Sequence, residues 1–249
     1  MKMSALILTM FLSTLLMAEP FRTITFPSKD GLTITADVYI AHPDTAPFII
    51  LFHQAGYSRG EYREIAPRLN KLGFNAMAID QRSGDQVNGV VNQVALLASQ
   101  ERRAMTYLDA LPDMMAAIDY SKQHYAKGKF ILWGSSYSAS LVLKIAGDHP
   151  DIANGVLAFS PGEYFTKLGK SKTYITESAQ HITIPVFITS ARDEKDRWWP
   201  IYQAIPSGKK TYFIPKAAGR HGSSALWRST PGHAEYWKAV TKFMDQFLK

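Results

Sequence analysis

Residues 129–141 read Lys-Phe-Ile-Leu-Trp-Gly-Ser-Ser-Tyr-Ser-Ala-Ser-Leu. The apolar run that begins at Phe130 ends abruptly at Gly134, a cluster of small polar residues follows, and a helix-forming run comes next. This pattern predicts a buried strand, a sharp turn and a helix. The turn has the form Gly-x-Ser-x-Ser, which differs at its last position from the Gly-x-Ser-x-Gly turn that exposes a nucleophilic serine. In this frame Ser136 is the nucleophile, and Ser138 occupies the position of the second glycine.

The segments on either side of this turn alternate between strand and helix patterns. Period-two stretches at 21–26 and 32–40, joined by a Ser-Lys-Asp-Gly turn, predict an antiparallel hairpin. Apolar runs predict strands buried on both faces at 47–52, 74–80, 130–133, 155–159, 184–189 and 210–214. Helical patterns are predicted at 62–72, at 100–125 with a break or kink at Pro112, and at 231–248. This alternation indicates a mostly parallel sheet with right-handed crossovers.

The turn and this order of elements resemble the α/β-hydrolase family, and the resemblance covers residues 21–248. It implies an α/β-hydrolase fold, with a mostly parallel central sheet, an N-terminal antiparallel hairpin and helices on both faces. Residues 161–181 are short for a full lid, and the loop at 53–56, His-Gln-Ala-Gly, resembles the family's His-Gly entry. The chain is therefore similar to the small, lid-poor, esterase and dienelactone-hydrolase-like members. Dienelactone hydrolases proper use a cysteine nucleophile, and this chain has no cysteine.

A serine hydroxyl needs a base that takes its proton and an acid that orients the base. In the family these partners follow the serine in the order acid, then histidine. The resemblance implies Asp193 as the acid, because it lies in the loop after the second strand beyond the turn, three residues after the small Ser190. Glu194 and Asp196 in the same loop are alternatives.

The base is expected in the loop after the last strand, where small residues surround His221. His233 is the competitor, but it falls on the first turn of the final predicted helix. The oxyanion that develops during acyl transfer also needs N–H donors. The resemblance implies the N–H of Tyr137 as one donor and the N–H of Gln54 or Ala55 as the other.

The resulting prediction is a serine hydrolase that cleaves an ester, or with lower preference an amide, through an acyl-enzyme. An acyltransferase that uses the same residues and a catalytically silent binding protein on the same fold are the alternatives. No cofactor is expected. The seven histidines include no short-spaced pair, so the sequence makes no case for a metal site.

The first residues combine Lys2 with an apolar run and a small residue, Ala18, before Glu19-Pro20. This pattern predicts a signal peptide over residues 1–18, a hydrolase domain over 19–249, and an exported protein that is periplasmic or secreted. The absence of cysteine excludes disulfides, thiolate nucleophiles and a lipoprotein anchor. The formal net charge is +7, but the basic residues are dispersed, so no nucleic-acid partner is expected. A small-molecule or lipid-like ester is the predicted substrate, with no stable membrane insertion after signal cleavage, and the oligomeric state is left open.

Overall fold

The computed structural model describes residues 20–206, 208 and 210–249, so the predicted signal peptide lies outside the described residues. The described strands are β1 (Arg22–Pro27), β2 (Thr33–Tyr39), β3 (Phe48–Phe52), β4 (Asn75–Ile79), β5 (Gln86–Val87), β6 (Val90–Val91), β7 (Phe130–Ser135), β8 (Gly155–Phe159), β9 (Val186–Thr189) and β10 (Thr211–Phe213). The α-helices are α1 (Ile65–Lys71), α2 (Gln93–Gln100), α3 (Leu111–His124), α4 (Tyr137–Asp148), α5 (Tyr174–Ala179), α6 (Lys195–Ala204) and α7 (His233–Met244).

Eight of these strands form one sheet in the order β1-β2-β4-β3-β7-β8-β9-β10. The β1–β2 and β2–β4 pairs are antiparallel, and every later pair in the sheet is parallel. The predicted fold class, a mostly parallel sheet that begins with an antiparallel hairpin, is therefore confirmed. Strands β5 and β6 form a separate small antiparallel hairpin between β4 and α2.

The sheet is buried on both faces because its central strands are almost entirely apolar. In β3, Phe48, Ile50 and Phe52 lie in one core, whereas Ile49 and Leu51 lie in the other. Helices α2 to α6 contribute to the first core, and α1 and α7 contribute to the second. Continuous apolar strands are what a sheet covered by helices on both faces requires.

The helical region predicted at 100–125 is confirmed over α3 but is wrong over residues 101–107, which are not helical. Helix α2 ends at Gln100, and α3 begins only at Leu111, with Pro112 in its first turn. Proline lacks an N–H, and a helix's first turn is where that loss does no harm. Pro112 therefore starts this helix instead of kinking it. The start of α2 is fixed by the Asn92 side chain, which accepts a hydrogen bond of 2.8 Å from the Ala95 N–H.

The parallel arrangement places the carboxyl ends of β3, β7, β8, β9 and β10 at one edge of the sheet. Each predicted catalytic and oxyanion-binding residue lies in a segment that follows one of these strands. Residues 161–181 contain only a short 3₁₀ turn and the six-residue helix α5, whose Ser178 contacts Lys144 and Asp148 near the end of α4. Among the described helices, none is both long and apolar enough to cross a membrane.

Candidate active site

Ser136 lies at a strained turn between β7 and α4. Its φ and ψ angles are 59° and −122°, which place a non-glycine residue at positive φ. Such a conformation costs about 1–3 kcal/mol and persists only where the surrounding structure enforces it. The enforcing contact is the closeness of β7 to α4, because a Cβ atom on Gly134 would overlap the backbone oxygen of Ser138.

Ser138, the departure from the glycine pattern, is buried and makes hydrogen bonds of its own. Its hydroxyl donates to the backbone oxygen of His53 at 2.6 Å and accepts from Gln81 Nε2 at 2.9 Å. These bonds connect the start of α4 to the loops after β3 and β4. Ser138 therefore links the two loops. A glycine at this position would leave the His53 oxygen without this donor.

His221 follows β10 and contacts a carboxylate in the loop after β9. Its Nδ1 lies 2.5 Å from Oε1 of Glu194, and the Glu194 residue is buried. The acid predicted at Asp193 is corrected by this contact: Asp193 is exposed, and its neighbour Glu194 is the residue that faces the histidine. Asp196, the other alternative, is also exposed.

Burial is the largest single influence and raises the pKa of Glu194, but four opposing interactions together lower it. These are the hydrogen bond and charge of His221, the hydroxyl of Ser160 and the N–H of Ala191. Ser160 donates to Glu194 Oε2 at 2.7 Å and accepts from the Gly222 N–H at 2.9 Å. The carboxylate is thus held ionised and aimed at the histidine, as an orienting acid must be.

The histidine loop is attached directly to the strand that carries Ser136. The Ser223 N–H donates to Ser135 Oγ at 2.8 Å, and Trp133 Nε1 donates to Ser223 Oγ at 2.9 Å. His221 lies two residues before Ser223 in the chain, and Ser136 directly follows Ser135. The chain therefore brings Ser136, His221 and Glu194 to one edge of the sheet.

The loop after β3 carries the predicted oxyanion donors. The Gln54 N–H donates to Glu61 Oε2 at 2.9 Å, so it is engaged elsewhere, contrary to the prediction that named it as a donor. Within the described part of the chain, the Ala55 N–H has no hydrogen bond. Tyr137 is the first residue of α4, where helix N–H groups have no intrahelical partner.

A tight turn presents the Ala55 N–H. The Tyr57 N–H donates to the Gln54 oxygen at 3.2 Å, and Gly56 has a φ of +72°. Ala55 itself is not at positive φ, so the turn is of type II, with Gly56 at the position that needs a left-handed residue.

His53 is a structural residue of this loop. Its Nδ1–H donates to the Gln54 oxygen at 2.8 Å, and its Nε2 accepts from the Gln81 N–H at 2.9 Å. Burial lowers the pKa of His53 to about 4, so the ring is neutral at neutral pH. His233, the competing base, lies at the start of α7 with its Nδ1 on the Thr230 oxygen at 3.0 Å.

Tyr164 is a site residue that the sequence analysis missed. Its hydroxyl donates to the Ser160 oxygen at 2.7 Å. Burial raises the pKa of this phenol to about 12, although the nearby Ser136 hydroxyl acts in the opposite direction. The segment that carries Tyr164 is anchored to α4, because Ser140 Oγ bonds both the N–H and the oxygen of Gly162. The chain has 12 tyrosines, and nothing in the sequence around Tyr164 distinguishes it from the others. Its position near Ser136 depends on this anchoring to α4.

No group of three or more carboxylate or imidazole side chains in residues 20–206, 208 and 210–249 is arranged to hold a metal ion. The arrangement instead contains a serine at a strained turn, a hydrogen-bonded imidazole–carboxylate pair and unengaged backbone N–H groups. These are the groups that acyl transfer requires.

The family model described as serine aminopeptidase, S33, matches residues 43–167, just over half of the chain. The matched region includes the loop after β3 and the turn at Ser136. No protein of curated function matches the sequence.

Solved structures share the fold at low sequence identity. An esterase from Pyrococcus furiosus is 17% identical with a TM-score of 0.70, covering 92% of this chain and 93% of that one. A dienelactone hydrolase from Anabaena variabilis is 13% identical with a TM-score of 0.69, covering 92% and 98%. Est1E from Butyrivibrio proteoclasticus, solved with ferulic acid bound, is 15% identical with a TM-score of 0.69, covering 90% and 98%.

Proposed function

The chain belongs to the serine aminopeptidase S33 family of α/β-hydrolases, and on that premise we propose that it hydrolyses a carboxylic ester through Ser136, His221 and Glu194. The observation that carries the proposal is that a serine at φ 59° lies at the same edge of the sheet as a histidine held 2.5 Å from a buried carboxylate. The hydrolase class follows from the family. The ester substrate and the role of each residue are the proposal.

In the first step, Ser136 Oγ attacks the ester carbonyl carbon while its proton passes to His221 Nε2. Glu194 Oε1 accepts the hydrogen bond of Nδ1–H, which fixes the tautomer and stabilises the imidazolium. The N–H groups of Tyr137 and Ala55 receive the negative charge that develops on the carbonyl oxygen. The alcohol leaves with the proton from His221, and the acyl group remains on Ser136.

In the second step, water replaces the alcohol. His221 takes a proton from the water as its oxygen attacks the acyl carbon, and the proton then returns to Ser136 as the carboxylic acid leaves. Tyr164, whose hydroxyl lies beside Ser136, forms one wall of the reacting space. Because the segment at 161–181 holds only a short 3₁₀ turn and the six-residue α5, we expect this space to be open to solvent.

Hydrolysis of p-nitrophenyl esters of increasing acyl length tests the proposal and defines the substrate class. Ser136→Ala and His221→Ala are each expected to lower kcat/KM by at least about 10⁴-fold, because triad members act as a unit. Ser171→Ala is the matched control, because Ser171 is exposed and its hydroxyl donates to Glu177. This variant is expected to retain the wild-type rate. A wild-type protein that is inactive on every ester, or a Ser136→Ala variant with full activity, contradicts the proposal.

Export remains a second proposal, supported by the basic and then apolar pattern of residues 1–18. Expression of the full chain in a bacterium with an outer membrane is expected to give periplasmic or secreted protein that begins at Glu19. Sequencing of the mature N-terminus measures this directly. Cytoplasmic protein that retains Lys2 contradicts it.

A further inference from the structure

A second buried carboxyl group, Glu61, lies beneath the proposed site and has no part in the triad. It belongs to the short 3₁₀ helix Arg59–Tyr62, which follows the loop that carries Ala55. Glu61 is fully buried. Its Oε2 accepts the Gln54 N–H at 2.9 Å, and its Oε1 accepts the Ser135 hydroxyl at 2.7 Å.

These two bonds connect three separate segments of the site. Gln54 immediately precedes Ala55 in the oxyanion loop, and Ser135 immediately precedes Ser136. Ser135 Oγ also accepts the Ser223 N–H at 2.8 Å, which brings in the histidine loop. At Gly222 there is no room for a side chain, because a Cβ atom there would overlap Ser135 Oγ and the Gln54 side chain. The carboxylate is thus at the point where the oxyanion loop, the serine turn and the histidine loop meet.

Stability alone does not explain a carboxylate at this position. Among the described residues, none forms a salt bridge with Glu61. The titratable groups that face it are His221 from the histidine loop and Tyr62 from its own turn. Burial raises the pKa of Glu61 to about 7 against the opposing effects of its hydrogen bonds and of His221, so the buried carboxyl group is ionised above that pH. Perturbed carboxyl groups of this kind cluster at functional sites.

We propose that Glu61 is a positioning residue of the active site: its carboxylate holds the oxyanion loop against the serine turn, so that the Ala55 N–H and Ser136 Oγ keep their relative geometry. The inference rests on the proposed hydrolase function. Both donors point hydrogens at the carboxylate, and an ionised carboxylate accepts both. An amide of the same shape accepts one hydrogen bond and turns a donor towards the other partner.

Glu61→Gln in the full chain tests the inference. We expect kcat for a p-nitrophenyl ester to fall about 10- to 100-fold while KM changes less than about twofold, because geometry in the transition state is lost and ground-state binding is kept. Hydrogen exchange of the segment 53–58 is expected to accelerate, because the Gln54 N–H loses its acceptor. Glu235→Gln, at an exposed glutamate on α7, is the matched control and is expected to change neither quantity.

Ser135→Ala, which removes the other partner of the carboxylate, is expected to lower kcat in the same way and to show a non-additive effect with Glu61→Gln. Titration with a fluorophosphonate counts competent sites, so a loss of folded protein is separated from a loss of kcat per site. A Glu61→Gln variant with unchanged kcat per site and unchanged exchange at 53–58 overturns the inference. If wild-type protein neither hydrolyses esters nor reacts with the fluorophosphonate, the proposed function fails, and the exchange measurement still decides whether Glu61 holds the loop.

Discussion

Two adjacent carboxyl groups, Asp193 and Glu194, lie in the loop after β9, and only one of them faces His221. Glu194 lies 2.5 Å from the histidine and is buried, whereas Asp193 points to solvent. Glu194→Gln is expected to lower kcat/KM by roughly 10³- to 10⁴-fold, because the amide no longer enforces the required tautomer. The measurement is ester hydrolysis at saturating and limiting substrate.

Asp193→Asn is the matched variant for this prediction, since it makes the same chemical change one residue away. We expect its kcat/KM to stay within about twofold of wild type. Equal losses in the two variants, or a larger loss at Asp193, would contradict the assignment of Glu194 as the orienting acid.

Backbone strain at Ser136 gives a prediction about stability. Ser136→Ala keeps a Cβ atom at φ 59°, whereas Ser136→Gly removes it. Glycine tolerates positive φ, and the relief of strain outweighs its extra conformational entropy. Urea denaturation is therefore expected to show Ser136→Gly more stable than Ser136→Ala by about 1 kcal/mol, with both variants inactive. Equal stability, or a less stable glycine variant, would show that the turn holds no strain at this residue.

The choice between Asp193 and Glu194 illustrates what sequence cannot resolve at this scale. The segment Arg192–Glu194 forms a 3₁₀ turn, in which neighbouring side chains point about 120° apart. The sequence places several carboxyl groups in the right loop, but it does not show which side chain points towards the histidine. Glu61 and Tyr164 were missed for a related reason, because their roles depend on contacts with residues 74 and 28 positions away.

At the scale of elements, the oxyanion loop depends on the type II turn from Gln54 to Tyr57. Proline fits the second position of such a turn, so Ala55→Pro removes the N–H while keeping the backbone path. We expect kcat to fall roughly 10²- to 10³-fold, the cost of losing one oxyanion donor. Thermal unfolding is expected at the same or a higher temperature, because proline restricts the unfolded chain.

Ala55→Ser, which retains the N–H, is the control and is expected to keep most of the activity. If Ala55→Pro remains fully active while folded, the second oxyanion donor lies elsewhere.

The strands could be predicted well because their signal is local. Continuous apolar runs such as the one at β3 occur where a strand is covered on both faces, and their bounds differ from the prediction by a residue or two. The start of the helix predicted at 100–125 could not be predicted, because it depends on tertiary features. Asn92 caps the start of α2, and Pro112 lies in the first turn of α3. The sequence pattern alone does not show that the helix is interrupted between Gln100 and Leu111.

At the scale of the whole molecule, two buried groups oppose each other in their effect on stability with pH. Burial lowers the pKa of His53 from 6.5 to about 4, so the unfolded state binds more protons and stability falls as pH drops through this range. Burial raises the pKa of Glu61 from 4.5 to about 7, so the folded state binds more protons and stability falls as pH rises through that range.

Replacing Glu61 by glutamine removes the second effect and leaves the first. The stability of Glu61→Gln relative to wild type is therefore expected to rise by about 3 kcal/mol between about pH 4 and about pH 8, since each pKa unit corresponds to about 1.4 kcal/mol. Urea denaturation of both proteins across this range measures the difference. A difference that is independent of pH would show that the carboxyl group titrates normally.

Covalent labelling tests the central claim, that Ser136 is the nucleophile, most directly. The full protein is treated with a fluorophosphonate, its intact mass is measured, and the modified peptide is sequenced. We predict one adduct per chain on Ser136, and no adduct on the Ser136→Ala variant, which has the same turn with the hydroxyl removed. An adduct on the adjacent Ser135, or labelling that persists in Ser136→Ala, would contradict the account.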